Sequence, residues 1–448
     1  MSAPLARLVR TAIARTQGLL HPMAEALAFE RTPRDTIDAE VNRKLSSLVR
    51  LAAGRTTHGR ERFAAAGIDP ARVRTIADLG TLPLLTKDDL RLRRNELLVD
   101  GRVDPDWIRN ASGGSTGAPV EFYQDREYHR RMLADQARHV TWTRLPWWTP
   151  RAFAWGADRD STAHTSTRGR VRDGVEGTAF LNTFRATDAD YLAFASRCAR
   201  ARTPLLIGYA SSLEHFARLL LARGDGAGWR PHAIQSSAER LSPEARAVLE
   251  QAFGAPVFDR YGSREMGNAA HECEAHVGLH VSMERVIVEI VRDGVPVADG
   301  HEGELAVTVL DNRAEPLIRY ATGDLGRRLA EGPCPCGRAY ERIEITAGRT
   351  SDLFTAPSGK RVHGEYFTHL FYGLNGIAEF RLTQQTREAI LMEIVRGSGD
   401  VGADVAFVLA GIREIDPGFV VETRIVDAIP TPESGKRRFT VSMVPVEW

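Results

Sequence analysis

The pattern of apolar and polar positions divides the 448-residue chain into three textures. Residues 1–100 read as helical and polar-faced: apolar residues recur at helical spacing from Asp38 to Ala65, and Pro70 and Gly80 mark breaks. Met1 to His21 reads as a packing helix. Thr86 followed by Asp88 and Asp89 predicts a capped helix start. A further helix is expected over Tyr123–Thr143. From 150 to 260 short apolar runs alternate with helical patterns. Strands are expected at Arg151–Gly156, Thr203–Gly208 and Pro256–Tyr261, and helices at Thr187–Ala201, Ser211–Ala222 and Pro243–Phe253. Such alternation predicts a parallel α/β sheet. After Gly278 the period drops to two. Leu279–Val281, Glu284–Arg292 and Gly303–Leu310 read as strands of an antiparallel, barrel-like subregion, with a turn at Asp293-Gly294. The last hundred residues mix β-like Glu379–Leu382, Ala389–Ile394 and Val420–Val426 with a helix over Asp400–Leu409. The fold class is therefore α/β: a large N-terminal domain over 1–348 with a β-barrel-like subregion, and a small mobile α+β domain over 349–448.

Composition narrows the functions. With 43% hydrophobic and 26% charged residues and a net charge of +1, the chain has the make-up of a soluble protein and no electrostatic footprint for nucleic acid. No apolar run is long enough to span a membrane, and the N-terminus lacks the apolar core and small-residue cleavage site of a signal peptide. Four cysteines fit a reducing cytoplasm rather than a disulfide scaffold. Only four of the 59 basic residues are lysine (Lys44, Lys87, Lys360 and Lys436), so a lysine in a glycine-flanked loop stands out.

Five stretches could carry chemistry. Ala111-Ser112-Gly113-Gly114-Ser115-Thr116-Gly117-Ala118-Pro119 packs glycines and hydroxyls into nine positions, suited either to an anion-binding nest or to a surface turn. It lacks the Gly-Lys-Ser/Thr ending of a Walker loop. Asp259-Arg260-Tyr261-Gly262-Ser263-Arg264-Glu265 follows an expected strand, where α/β sheets place ligands. There Tyr261 offers a flat face and Glu265 an oxygen ligand for a hard cation. Arg319-Tyr320-Ala321-Thr322-Gly323-Asp324 presents a carboxylate after a tight turn that could accept from vicinal hydroxyls. Ala347-Gly348-Arg349-Thr350-Ser351-Asp352 combines a phosphate-seeking arginine with hinge-like residues. Pro430–Arg438 displays Lys436 between Gly435 and Arg437. Each alone is equally readable as an ordinary polar turn.

Together and in this order, the five resemble the adenylate-forming superfamily of acyl-CoA synthetases, adenylation domains and luciferases. The likeness covers about residue 80 to the C-terminus. Pro83-Leu84-Leu85-Thr86-Lys87, Gly278-Leu279-His280 and Val362-His363-Gly364-Glu365-Tyr366 resemble the phenylacetate–CoA ligase-like branch, which includes CapK and coenzyme F390 synthetase. The resemblance implies ATP-dependent activation of a small carboxylic acid as an acyl-adenylate, followed by transfer to coenzyme A. Adenylyl transfer to a hydroxyl, acyl transfer to an amine and a catalytically degenerate nucleotide-binding partner remain as alternatives, and a homodimer stays open. It implies that Ser112, Gly113, Gly114, Ser115, Thr116 and Gly117 hold the ATP phosphates. Ser237, Ala238 and Glu239 would line the adenine and acyl pocket. Tyr261, with Gly262, Ser263 and Arg264, would face the nucleotide, and Glu265 would bind Mg²⁺. Asp324 would hold the ribose, Arg349 would touch the nucleotide and Asp352 would be the hinge. Lys436 would offset charge as the acid attacks the α-phosphate. Tyr209, Ser236, Phe258 and Tyr261 would bound the acid. Three positions depart from the family pattern: Arg264 where a hydroxyl is usual, Ala321 for a common arginine and Ala118 for a frequent lysine.

Cys273-x₂-His276 and Cys334-x-Cys336 offer four ligands for a closed, structural zinc site, with His271 and His280 as rival fourth ligands. Two unrelated cysteine turns or a disulfide are the other readings. Cys198 reads as core. Trp142, Trp147, Trp148 and Trp155 lie close in sequence and read as one aromatic core cluster.

Overall fold

A computed structural model describes residues 3–111, 120–156, 164, 166–183, 186–224, 228–330, 332–349, 353–371, 374–430 and 439–444. The N-terminal periodicity resolves into helices Ala3–Thr16, Leu20–Phe29, Arg34–Arg55 and Thr57–Ala65. The run expected as one helix from Asp38 is cut at Thr56, whose extended backbone ends one helix while its hydroxyl accepts the Gly59 N–H of the next at 2.9 Å. Thr86 caps its helix as expected, with Asp89 returning the bond in a capping box.

Two short antiparallel strands follow, β1 (Ile108–Ala111) and β2 (Glu121–Gln124), on either side of the glycine-rich stretch. Helix Arg126–Trp142 runs behind them, one turn later than its apolar pattern predicts because Asp125 caps it. The parallel sheet contains β3 (Arg151–Trp155), β4 (Ala179–Asn182), β5 (Leu205–Tyr209), β6 (Ala233–Ser237) and β7 (Val257–Phe258), in the order β4-β3-β5-β6-β7. Helices Asp188–Ala201, Ala210–Arg223 and Pro243–Phe253 pack Phe194, Phe216, Leu249 and Phe253 against Ala152, Ala154, Leu206 and Ile234 on one sheet face.

The run Pro256–Tyr261 is not one strand. It breaks at Asp259: β7 completes the parallel sheet, and β8 (Arg260–Ser263) opens an antiparallel one. That second sheet also contains β9 (Gly267–Glu272), β10 (Leu279–Val281), β11 (Val286–Arg292), β12 (Val295–Pro296), β13 (Glu302–Val309), β14 (Tyr320–Arg328) and β15 (Arg342–Arg349). Its order is β12-β11-β13-β14-β15-β10-β9-β8. Asp293 and Gly294 both take positive φ, as a tight hairpin turn requires, but they join β11 to the short β12 rather than to β13.

The C-terminal residues build their own core, with Phe354, Phe367, Leu382, Met392 and Ile412 at its centre. There β16 (Leu353–Thr355) pairs with β17 (Arg361–His363). A four-stranded sheet joins β18 (Ile377–Gln384), β19 (Ala389–Arg396), β20 (Val420–Ile425) and β21 (Thr440–Ser442), with helix Val401–Ile415 beside it. No helix among the described residues is long and apolar enough to cross a membrane.

Candidate active site and metal group

The site assembles where the chain crosses from β7 to β8. Gly262 follows Tyr261 because nothing larger fits: a Cβ there would lie 2.2 Å from the Gly267 carbonyl oxygen. The turn that follows β8 is fastened from two sides. Gln124 of β2 donates to the Arg264 carbonyl at 2.9 Å, and the buried Tyr128 hydroxyl donates to the Glu265 carbonyl at 3.2 Å. The β1–β2 hairpin that bears the glycine-rich stretch is thereby tied to the Tyr-Gly-x-x-Glu turn. The 311–315 segment holds it as well: Asn312 donates to the Tyr123 carbonyl at 3.0 Å, and Glu315 accepts the Tyr123 N–H at 2.9 Å. Residues 112–117, which carry the phosphate-loop expectation, lie outside the described residues.

Tyr261 is buried, and its hydroxyl donates to Asp324 Oδ2 at 2.8 Å, with Thr322 Oγ1 at 3.1 Å. Burial, reinforced by Asp324, pushes the phenol well above its ordinary range, so it remains a donor. Thr322 in turn accepts the Asp324 N–H at 3.1 Å. Across the β14–β15 ladder Asp324 stands opposite Arg349. Segments separated by some sixty residues thus meet at one carboxylate. Asp352 and Lys436 lie outside the described residues.

The C-terminal ends of the parallel strands form the neighbouring wall. Tyr209 closes β5 and lies 4.4 Å, ring to ring, from Trp155 at the end of β3. Ser236 Oγ and Ser263 Oγ are buried without a hydrogen-bond partner among the described residues, so both hydroxyls remain available to a ligand. Ala238 adopts φ +68°, a strained value for alanine of the kind that concentrates at functional turns. Glu239 accepts the Ser211 N–H at 2.8 Å and so caps the helix that follows β5. Phe258 is buried with Val140, Leu205 and Ile207. The tryptophans do not form one cluster. Trp142 is buried beside His139, His271 and His280, Trp155 joins Tyr209, and Trp147 and Trp148 pack together with Arg7 over the Trp148 ring.

Glu265 is buried, and its carboxylate forms no hydrogen bond or ion pair with a described residue. An oxygen ligand left free in this way suits a hard cation. Its acidic neighbour Glu315 was not apparent from the sequence. Burial above all pushes Glu315 up to about 8, and Glu265 adds to that, while the Tyr123 N–H and Arg94 oppose it. A carboxyl whose folded value lies above its unfolded value of about 4.3 favours the folded state when protonated. This stabilisation is complete below pH 4 and declines as pH rises through about 8. Glu315→Gln keeps an acceptor for Tyr123 but cannot ionise. Its urea midpoint relative to wild type should rise between pH 5 and pH 8.5; a constant difference would contradict the assignment.

The cysteines converge, but not with the histidine expected from spacing. Cys273, Cys334 and Cys336 gather with His280, all four ligand atoms lying within 4.8 Å of one another. His276 belongs elsewhere: its ring approaches Glu272 Oε2 at 3.2 Å and Phe258. His271 meets Gln235 at 2.9 Å. The reason is topological. β10 returns antiparallel beside β9, so His280 sits across from His271, near the end of β9 that leads into Cys273. Cys273 and Cys334 sulfurs are 3.7 Å apart, too far for a disulfide at about 2.05 Å and close to the edge of about 3.8 Å that Zn–S bonds of about 2.3 Å imply for a tetrahedron. Ala275 and Arg338 backbone N–H groups each donate to a cysteine sulfur at 3.4 Å. Burial pulls His280 down to about 4, leaving the neutral imidazole that ligates metals.

Behind the metal group lies a second feature that sequence patterning did not expose. Arg138, fully buried, pairs with Asp135 and Glu284 and donates to the Tyr340 hydroxyl at 2.8 Å. Burial opposes ionisation of Asp135, yet Arg138 and Arg285 together hold its carboxyl below the ordinary range. Arg338 lies over the Trp142 ring at 4.5 Å and bonds Glu274 at 2.9 Å. Arg319 similarly reaches Glu289 at 3.1 Å and the Leu79 and Gly80 carbonyls.

No family model matches the chain. Among its relatives, the phenylacetate-coenzyme A ligase of Escherichia coli K12 is 28% identical over 343 residues, covering 72% of this chain and 74% of that protein. Protein CapK of Staphylococcus aureus is 22% identical over 402 residues, 83% and 81% of the two chains. Among solved structures, a 2-hydroxyisobutyryl-CoA ligase in its postadenylation state, complexed with R3-HIB-AMP, superposes with a TM-score of 0.68 at 17% identity. It covers 92% of this chain and 91% of that one, which establishes a common fold.

Proposed function

We propose that the chain is a member of the phenylacetate–CoA ligase-like branch of the adenylate-forming enzymes, and that it joins a carboxylic acid to AMP at the expense of ATP and passes the acyl group to coenzyme A. The observation that carries this reading is the meeting of Tyr261, Thr322 and Asp324 within 3.1 Å, with Asp324 opposite Arg349 across the ladder. In this reading Asp324 accepts from the ribose hydroxyls, and Tyr261 both orients it and lies against the adenine with Ser237, Ala238 and Glu239. Ser112 to Gly117 wrap the phosphates from the tip of the β1–β2 hairpin. Glu265 holds Mg²⁺, which supplies charge neutralisation at the phosphates. Arg349 contacts the nucleotide, and the small domain pivots at Asp352 to deliver Lys436.

The chemistry needs this division of labour. A carboxylate is a weak nucleophile, and the triphosphate repels it. Positive charge fixed where negative charge builds in the pentavalent transition state lowers the barrier without reorganising solvent. Tyr209, Ser236 and Phe258 bound the acid beside Tyr261. The carboxylate attacks the α-phosphorus, the bond to the bridging oxygen breaks, and pyrophosphate leaves. A thiol then attacks the acyl carbon and AMP departs. Coenzyme A as acceptor is tested by incubating the adenylating protein with CoA, with a hydroxyl compound and with an amine. Thioester is the expected product. AMP transfer to the hydroxyl, with no thioester from any acid, would replace this reading by adenylyl transfer.

Cys273, His280, Cys334 and Cys336 hold a structural zinc ion in the same proposal, since four protein ligands leave no open position for catalysis. Fresh protein should contain about one zinc per chain. Cys334→Ser should lower that content and the thermal midpoint together. Metal content near zero in the wild type would end the assignment.

A further inference from the structure

Three fully buried arginines among the described residues are answered by carboxylates. Arg285 lies 3.3 Å from Asp135 and from Asp311, Arg319 is 3.1 Å from Glu289, and Arg138 pairs with Asp135 and Glu284. Arg260, partly buried, is not answered in this way. Its Nε is buried without a hydrogen-bond partner, a feature that Arg151 Nε shares, and among the described residues no carboxylate forms an ion pair with the Arg260 guanidinium. The group lies over the Trp155 ring, 5.6 Å from its centre, and Asp259 and then Tyr209 are its electrostatic neighbours. Trp155 and Tyr209 end β3 and β5, at the C-terminal edge where parallel sheets receive ligands. Arg260 itself is the first residue of β8, one position before Tyr261.

The nearest acid, Asp259, favours this charge through space but forms no ion pair with it. Asp259 Oδ1 accepts the Arg260 backbone N–H at 2.9 Å, and Glu272 is occupied by Arg246 at 2.7 Å. Burial, with Glu272 beside it, pushes Asp259 up to about 8. Burial pulls Arg260 down to about 10, which still leaves it charged at neutral pH. The titratable groups around Arg260 are Asp259, Tyr209, Arg151 and the imidazoles of His139 and His271, both of which burial holds neutral. A partly buried cation with an unpartnered Nε and no ion pair is costly, and a ligand carboxylate would relieve that cost.

We propose that Arg260 is the specificity residue of the acid pocket, and that the acid activated here carries a second carboxylate that pairs with its guanidinium. The inference rests on the adenylation reading above and names its substrate class. One carboxylate of a dicarboxylic acid is adenylated while the other binds Arg260, with its carbon chain against Trp155 and Tyr209. A site built to bind a charged group rejects the analogue that lacks it, because the buried partner is then left unpaired.

The test is acid-dependent ATP–pyrophosphate exchange with matched pairs, each a dicarboxylic acid and the monocarboxylic acid of equal chain length, including one aromatic pair. Wild-type protein should favour at least one diacid over its partner by 10-fold or more in kcat/KM. In Arg260→Met that ratio should fall about 100-fold, and Arg260→Lys should restore part of it. The ratio is internal to each preparation, so partial misfolding does not move it. Equal use of both members of every pair by the wild type would overturn the inference. So would a change in the KM for ATP with the ratio unchanged, which would assign Arg260 to the nucleotide. Exchange with monoacids alone would overturn it while leaving the adenylation reading intact. No exchange with any acid would overturn both.

Discussion

Replacing Lys436 by alanine should lower acid-dependent pyrophosphate exchange by about 100- to 1,000-fold while ATP binding, measured by equilibrium dialysis, stays within a few-fold. The glycine-rich stretch at 111–119 ends without a lysine, so its backbone and hydroxyls can orient the phosphates but bring no positive side chain of their own. The chain supplies surface charge almost wholly as arginine, with four lysines in all. A lysine between Gly435 and Arg437 is therefore best explained by a demand for a compact, point-like cation on a mobile stem. Its effect belongs to the transition state, where charge on the attacked phosphate is greatest, so kcat should carry the loss. Lys360→Ala, at an exposed turn of the same domain, is the control and should exchange normally. Exchange by Lys436→Ala at the wild-type rate would refute the role.

Arg138→Met should destabilise the fold by about 3–5 kcal/mol, the range for breaking a buried ion pair by removing one partner. The substitution leaves Asp135 and Glu284 buried with one cation fewer, and it strips a donor from the Tyr340 hydroxyl. It also removes a cation from above the Trp142 ring, 5.5 Å away. Asp135 still contacts Arg285 at 3.3 Å, so the loss should be smaller than the sum of its broken contacts. Thermal and urea unfolding followed by tryptophan fluorescence measure it. A shift below about 1 kcal/mol would mean that the network contributes little to stability.

Local signals were the legible ones. Thr86 and Thr187 announced their helices because a hydroxyl with an aspartate three residues on satisfies the first free N–H groups in place. Pro243–Phe253 was legible to the residue, since Ser242, a proline in the first turn and Gly254 bracket it. The five motifs were legible as an ordered set. What stayed hidden is set by tertiary pairing. His276 has the better sequence spacing to Cys273, but antiparallel return of β10 delivers His280 instead. Pro256–Tyr261 looked like one strand because its apolar run does not reveal a change of sheet at Asp259. Glu315 and Arg138 were invisible as special residues because a charged side chain reads as surface until the fold buries it, and Arg260 because only the fold buries its Nε without a partner.

Adenylation is the reaction on which the proposed roles of these residues depend. Purified protein with Mg²⁺, ATP and labelled pyrophosphate should incorporate label into ATP only when a carboxylic acid is added, and AMP rather than ADP should be the nucleotide product of turnover. Label incorporation that is absent with every acid, in protein shown to bind ATP, would contradict it.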